Sequence, residues 1–340
     1  MRAAVLNRPG EVEVVERPTP SPGPREVLVR VRAVGVCGSD THYYDHGRIG
    51  RFVVEQPMVL GHESAGVIEA VGSDVDPARV GQRVSIEPGV PCFTCHECLA
   101  GRYNLCPDMV FYATPPVDGS LAELAVIHEA FAHPVPDSVS DEAAALLEPL
   151  SVGVWSCRKG GVGMGTSVLV TGAGPIGLVA VQVARAAGAA QVVVADVNPH
   201  RLAVAARLGA TRTVDVRETT VVESYAGGPG PDVLLECSGH AGVTGDGIRS
   251  LAPNGTAVLV GMGAYEFPLP LSVVQERELT VTGTFRYANT WPTAISLVAT
   301  GQVDLDALVT RRFTLAETAQ ALTAARDDPE AIKAVILPQS

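Results

Sequence analysis

A chain of 340 residues is longer than a single hydrophobic core usually grows, so two domains are expected. Hydrophobic residues make up 46% and charged residues 18%, with no apolar run long and unbroken enough to span a bilayer, which points to a folded globular protein without a membrane partner. The formal net charge of −12 argues against a nucleic-acid partner, because neutralising phosphates calls for a basic surface.

The chain opens on strand-like Arg2-Ala3-Ala4-Val5-Leu6, with neither the basic lead nor the apolar stretch of a signal peptide, so a cytoplasmic address is expected. Up to about residue 147 short strands follow one another between Pro and Gly punctuation, over 11–15, 26–31, 67–71 and 82–86. That spacing predicts an irregular β-barrel or sandwich. Within this half, Cys92, Cys95, Cys98 and Cys106 place four thiols in fifteen residues. The set matches the four thiolates of a closed tetrahedral zinc site. Two disulfides fit less well, since the seven cysteines are odd in number and three are scattered at Cys37, Cys157 and Cys237. An iron–sulfur cluster is the sharper rival, but the last gap is seven residues where a ferredoxin run has three.

From Ser167 the rhythm changes to continuous apolar strands alternating with helices, with strands over 167–170, 191–195, 213–214, 232–235, 257–260 and 279–282. Buried parallel strands read this way, so the second half is expected to be a doubly wound α/β sheet. Gly172-x-Gly174-x-x-Gly177 follows the first of these strands and opens a helix, the context of a dinucleotide fingerprint. Asp196 ends the next strand, where a carboxylate accepts from ribose hydroxyls and repels a 2′-phosphate. NAD is therefore favoured over NADP, with Arg201 one turn later as the counter-signal and helix capping as the bland alternative for Asp196. The tail reads as two helices and a closing strand over 334–337, too small for a core of its own.

A second metal set is spread through the first half. Cys37 lies among glycines, His62 and Glu63 stand together after Gly61, and Glu148 sits at the join of the two halves. One thiolate, one imidazole and one carboxylate leave a fourth position open, as in catalytic zinc. In an extended chain adjacent side chains point to opposite faces, so His62 and Glu63 share one ion only if the backbone turns there. Otherwise Glu148 is the ligand and Glu63 stands behind it.

The chain resembles the zinc-dependent medium-chain dehydrogenases, and within them the polyol dehydrogenases of the sorbitol and xylitol type. The resemblance runs through Gly38-Ser39-Asp40-x-His42-Tyr43, Gly47-Arg48-Ile49-Gly50, Pro57-Met58-Val59-Leu60-Gly61-His62-Glu63, Ala113-Thr114-Pro115-Pro116, Glu148-Pro149-Leu150, the glycine fingerprint and Phe285-Arg286-Tyr287-x-Asn289-Thr290-Trp291-Pro292. It implies a GroES-like irregular β-barrel catalytic domain over 1–147 with a structural-zinc lobe at 91–107, a Rossmann NAD-binding domain over 148–283, and a return to the catalytic domain over 284–340. It implies catalytic zinc at Cys37, His62 and Glu63 with Glu148 at the metal or its water. Polyol contacts fall at Ser39, Tyr43, Phe111, Thr114, Glu148, Arg286 and Tyr287, and NAD contacts at Ile176, Asp196, Arg201, Val260, Gly261, Met262, Thr284, Phe285 and Arg286. It also implies a homotetramer. The mammalian sorbitol enzymes lack the complete four-cysteine lobe found here, whereas microbial and insect relatives of the polyol and xylitol type keep it, so mammalian substrate preference is not assumed.

The expected chemistry is Lewis-acid activation of a secondary hydroxyl and hydride transfer to the nicotinamide, giving a ketose. Ser39 and His42 are candidates for relaying the proton. Two other readings are a dehydrogenase of another secondary alcohol, of the butanediol or threonine type, and a redox-sensing dinucleotide binder without catalysis. The intact Cys37, His62, Glu63 and Glu148 set speaks against the second.

Overall fold

In the computed structural model, which describes residues 1–263 and 266–340, the chain divides into one unit of Met1–Glu148 with Leu305–Ser340 and another of Pro149–Asp304. The first unit is organised by the ten-residue strand Glu26–Gly35. Its alternation sends Val27, Val29 and Val31 inward at 0% exposure while Arg32 faces solvent, the period-two pattern of a half-buried strand. On one side it pairs antiparallel with Glu63–Val71, which pairs with Arg83–Ile86 and through it with Ala132–Pro134. Leu124–His128 also pairs with it. On the other side comes Lys333–Leu337, with Val309–Thr314 parallel beyond it. A smaller sheet sets Arg2–Arg8 between Glu11–Glu16 and Met58–Val59. Leu6, Ile68, Ile86, Leu121, Leu322 and Ile336 meet in one core, so the tail contributes side chains to a core begun more than 300 residues earlier. Each such side chain, fully buried, contributes about 1.5–3 kcal/mol.

The second unit is a six-stranded sheet, parallel throughout, in the order Arg212–Asp215, Gln191–Asp196, Ser167–Thr171, Val233–Glu236, Thr256–Leu259, Thr280–Gly283. Val168, Leu169, Val170, Val192, Val193 and Val194 are all fully buried, which is why these strands read as unbroken apolar runs. Strand order reverses between Ser167–Thr171 and Val233–Glu236.

One boundary differs from expectation. The second unit extends to Asp304 rather than ending at 283. Trp291 is 1% exposed, Arg158 donates to Asn289 O at 2.7 Å and to Thr293 Oγ1 at 2.8 Å, and Gln182 exchanges hydrogen bonds with the Asp304 backbone at 2.7 and 3.1 Å. The helix Trp291–Ala299 is thereby bound to the nucleotide-type unit, and only Leu305 onward returns. No helix among the described residues is long and apolar enough to cross a membrane.

Candidate metal centres and dinucleotide crevice

Cys92, Cys95, Cys98 and Cys106 bring their sulfurs within 4.8 Å of one another, and none is in a disulfide. Cys92 Sγ lies 3.9 Å from Cys98 Sγ, and Cys95 Sγ lies 3.4 Å from it. Bonds of 2.3 Å to a tetrahedral zinc would set sulfurs about 3.8 Å apart, so the cluster fits that ion. Backbone N–H groups of Cys92, Cys95 and Cys98 donate to the sulfurs of Cys106, Cys92 and Cys95 at 3.3, 3.3 and 3.5 Å, as suits thiolates. The lobe is moored to the barrel through buried Glu87, which accepts from Tyr103 Oη at 2.7 Å and meets His133 Nε2 at 2.8 Å.

The second set, Cys37, His62 and Glu63, likewise offers one donor atom each within 4.8 Å, and the grouping does not extend to Glu148 among the described residues. Local backbone explains it. Gly61 adopts φ +87°, and Glu63 begins the strand Glu63–Val71. The chain therefore turns before it extends, and His62 and Glu63 can share a face. A Cβ at position 61 would lie 2.7 Å from Leu121 Cγ. Cys37 caps the helix Gly38–His46, and Asp40 three residues on accepts from Cys37 N and, 21 residues further along, from Gly61 N, both at 3.0 Å. The same carboxylate stands 3.6 Å from His62 Nδ1, which leaves Nε2 for a metal. Burial opposes charge on His62, but Asp40 and Cys37 hold its pKa well above the ordinary histidine range.

Glu63 has a partner that sequence reasoning missed. Lys333 Nζ, on the closing strand, donates to Glu63 Oε1 and to Val36 O, both at 2.7 Å, and lies 2.6 Å from Glu63 Oε2. Angle separates the two carboxylate oxygens: Oε2 is close enough to count as an ion pair, yet no hydrogen-bond donor points at it among the described residues. A buried carboxylate that converges with a thiol and an imidazole is a donor set that a metal ion would accept. Gly35 makes the space, since a Cβ there would fall 2.1 Å from Glu63 Oε2 and 3.1 Å from Lys333 Cε. Asp40 and Lys333 are functional neighbours that no spacing rule picked out. In the sequence Asp40 stood out only as a member of the motif Gly38-Ser39-Asp40-x-His42-Tyr43.

The other candidates of this unit lie as follows. Phe111 is buried, its ring centroid 5.9 Å from that of His62. Thr114 donates its N–H to Phe111 O at 3.2 Å. Tyr43 and Glu148 are 4% and 6% exposed, Ser39 is half-buried, and His42 is exposed with its ring 5.6 Å from His46.

In the second unit Gly172 has φ +87°, Gly174 caps the helix Pro175–Ala186, and a Cβ at Gly177 would sit 1.8 Å from Gly172 O. These are the tight turn, the close approach and the helix packing that the fingerprint needs. Asp196 Oδ2 accepts from Ala173 N at 2.6 Å and its Oδ1 from Asn198 N at 2.7 Å. Asn198, not Asp196, caps the next helix, through His200 N and Arg201 N, so the capping reading of Asp196 fails. Val260 and Gly261 donate to Glu236 O at 2.8 Å, and Thr284 N to Leu259 O at 3.0 Å. Ile176 and Arg201 are half-buried, while Met262 and Phe285 are exposed. Arg286 has φ +56° and its guanidinium lies 4.9 Å from the Phe285 ring centroid; Tyr287 is buried against Trp291.

With this geometry in place, likeness to known proteins is specific. Residues 23–137 match the alcohol dehydrogenase GroES-like domain and residues 175–300 the zinc-binding dehydrogenase domain. The chain is 47% identical to sorbitol dehydrogenase of Macaca fascicularis, over 93% of this chain and 90% of that one. It is 42% identical to sorbitol dehydrogenase of Bacillus subtilis strain 168, over 99% and 97%. An alcohol dehydrogenase from Escherichia coli CFT073 solved with NADH superposes with a TM-score of 0.94 at 30% identity, covering 99% of both chains.

Proposed function

This chain belongs to the zinc-binding alcohol dehydrogenase family and is an NAD-dependent polyol dehydrogenase; from that premise we propose that it oxidises a secondary hydroxyl of sorbitol, xylitol or a related sugar alcohol to the ketose, with the residue roles below. The observation that supports the assignment of the centre is the open three-donor set of Cys37, His62 and Glu63. These three residues would hold the catalytic zinc, with Glu148 accepting from its water or from substrate, and Cys92, Cys95, Cys98 and Cys106 would hold a structural one. Zinc at the first centre supplies Lewis acidity that lowers the pKa of the substrate hydroxyl, and NAD supplies the hydride acceptor.

The chain's own residues do the rest. Asp40 fixes the His62 ring, so that one nitrogen always faces the metal position. Phe111 walls that position against water. Ser39 and exposed His42 pass the proton outward, one hydroxyl and one imidazole being sufficient for a two-step relay. Tyr43, Thr114, Arg286 and Tyr287 bind the remaining hydroxyls, Arg286 by a fork of N–H donors that a hydrophobic alcohol would leave unused. Gly172, Gly174, Ile176, Gly177, Asp196, Arg201, Val260, Gly261, Met262, Thr284 and Phe285 bind NAD. The enzyme works in the cytoplasm as a homotetramer, which light scattering of the purified protein tests.

A panel of sorbitol, xylitol, iditol, arabinitol, 2,3-butanediol and threonine, each with NAD and with NADP, tests the function. Turnover of the polyols with NAD is expected. Turnover of butanediol or threonine alone would replace the substrate assignment.

A further inference from the structure

The residue roles above leave one buried carboxylate of the second unit unused. Glu236 is 2% exposed and ends the strand Val233–Glu236, in register with Thr171 at the end of Ser167–Thr171. These are the two strands between which the order of the sheet reverses. Glu236 therefore lies at the carboxyl-end crevice where a doubly wound sheet receives its ligand. Its Oε1 accepts from Ser238 N at 2.9 Å, Gly239 N at 3.1 Å, Thr171 Oγ1 at 3.3 Å and Ser238 Oγ, while Oε2 accepts from Gly239 N at 3.2 Å. A side chain bonded to the backbone two and three residues ahead folds residues 237–239 into a tight turn.

That turn is wedged between the two cofactor loops. On one side Cys237 N donates to Thr171 O at 2.8 Å, and a Cβ at Gly172 would stand 3.0 Å from Ser238 Cα and N. On the other side a Cβ at Gly261 would stand 2.3 Å from Gly239 N, and one at Gly239 2.7 Å from Met262 C. The fingerprint turn, the 237–239 turn and the 260–263 loop thus meet backbone to backbone at Gly172, Gly239 and Gly261. Whatever fixes the middle layer fixes the spacing of the outer two.

We propose that Glu236 is a positioning residue for the dinucleotide: its carboxylate pins the 237–239 turn and so sets the distance between the fingerprint turn and the 260–262 loop that receive NAD. The inference rests on the NAD assignment but involves neither the polyol nor the metal donors.

The test is titration of zinc-loaded enzyme with NADH, followed by fluorescence without polyol, alongside Tm and zinc content. Glu236→Ala should weaken NADH at least about tenfold, the size expected when hydrogen bonds to a charged group are lost. Ser238→Ala, which removes one bond, should weaken it by about two- to fivefold. Glu236→Gln should fall between, because an amide oxygen can keep the Oε1 contacts while its NH₂ faces Gly239 N. KM for NAD should rise in step, with zinc content and the polyol KM at saturating NAD unchanged. An NADH Kd within about twofold of wild type in folded Glu236→Ala, with the loss confined to Tm, would overturn the proposal. If that variant does not fold, wild-type NADH affinity in both Glu236→Gln and Ser238→Ala overturns it. Should wild type bind NADH yet turn over no polyol, the substrate assignment fails, and the variants still decide the role of Glu236.

Discussion

At the scale of single residues, the pair Glu63–Lys333 carries the clearest energetic consequence. Both side chains are nearly fully buried, at 1% and 3%. Burial works against the charge on Lys333, but Glu63 and Cys37 raise its pKa above the ordinary lysine value. Removing one member of a buried pair strands the other charge, at a cost of about 3–5 kcal/mol. Lys333→Met should therefore lower Tm by several degrees, and Glu63→Gln in the same chain should recover part of the loss; a single variant that melts like wild type would disprove the pairing. That Cys37, His62 and Glu63, and the four cysteines of the lobe, would converge could be anticipated in the sequence, because thiol, imidazole and carboxylate announce their chemistry by type and spacing; Glu148 does not join the first group among the described residues. The parts played by Asp40, Lys333 and Glu236 could not. Lys333 is one of only two lysines among 25 basic residues, but its partner is 270 residues away, and only the folded sheet brings them together.

At the scale of elements, the parallel strands of the second unit could be read almost to the residue, since a strand covered on both faces is an unbroken apolar run. Val309–Thr314 escaped that reading. Its Thr-Arg-Arg centre is half-exposed at the end of the larger sheet, so neither alternation nor apolarity marks it. The tail helix Trp291–Ala299 was legible as a helix but not as part of the second unit, because its assignment depends on Arg158 and Gln182 reaching across from earlier helices. The strand–turn–helix at 167–186 combines both kinds of information. Its glycines are explained by the backbone, and Asp196, bonded to Ala173 N at 2.6 Å, places a negative charge against the turn. A 2′-phosphate brought there would meet that charge, so NAD should be preferred over NADP. Asp196→Ser should narrow the kcat/KM ratio for the two cofactors by at least about tenfold, or about 1.4 kcal/mol. A wild-type enzyme that uses NADP better would show that the carboxylate does not face the ribose.

At the scale of the whole molecule, the two metal centres belong to one unit but bear differently on fold and chemistry. Four sulfurs close around the first centre and hold together a lobe that meets the barrel through Tyr103 on Glu87 and through Phe93 against His128 and Phe131. Binding energy in a closed site of this kind is folding energy, because the unfolded chain has no preformed site. The second centre is built on the strands and helix start of the barrel, whose core stands without it. Elemental analysis should thus give two zinc ions per chain. Cys92→Ser should lose one of them and lower Tm, because three thiolates leave a position unfilled. Cys37→Ser should also drop to one zinc, but keep a Tm near wild type and lose polyol turnover, since the lobe is untouched while the open centre is not. The two variants have the same metal count and opposite stability, and that contrast separates a structural ion from a catalytic one. Stoichiometric iron in wild type, or equal melting of the two variants, would refute the division of labour.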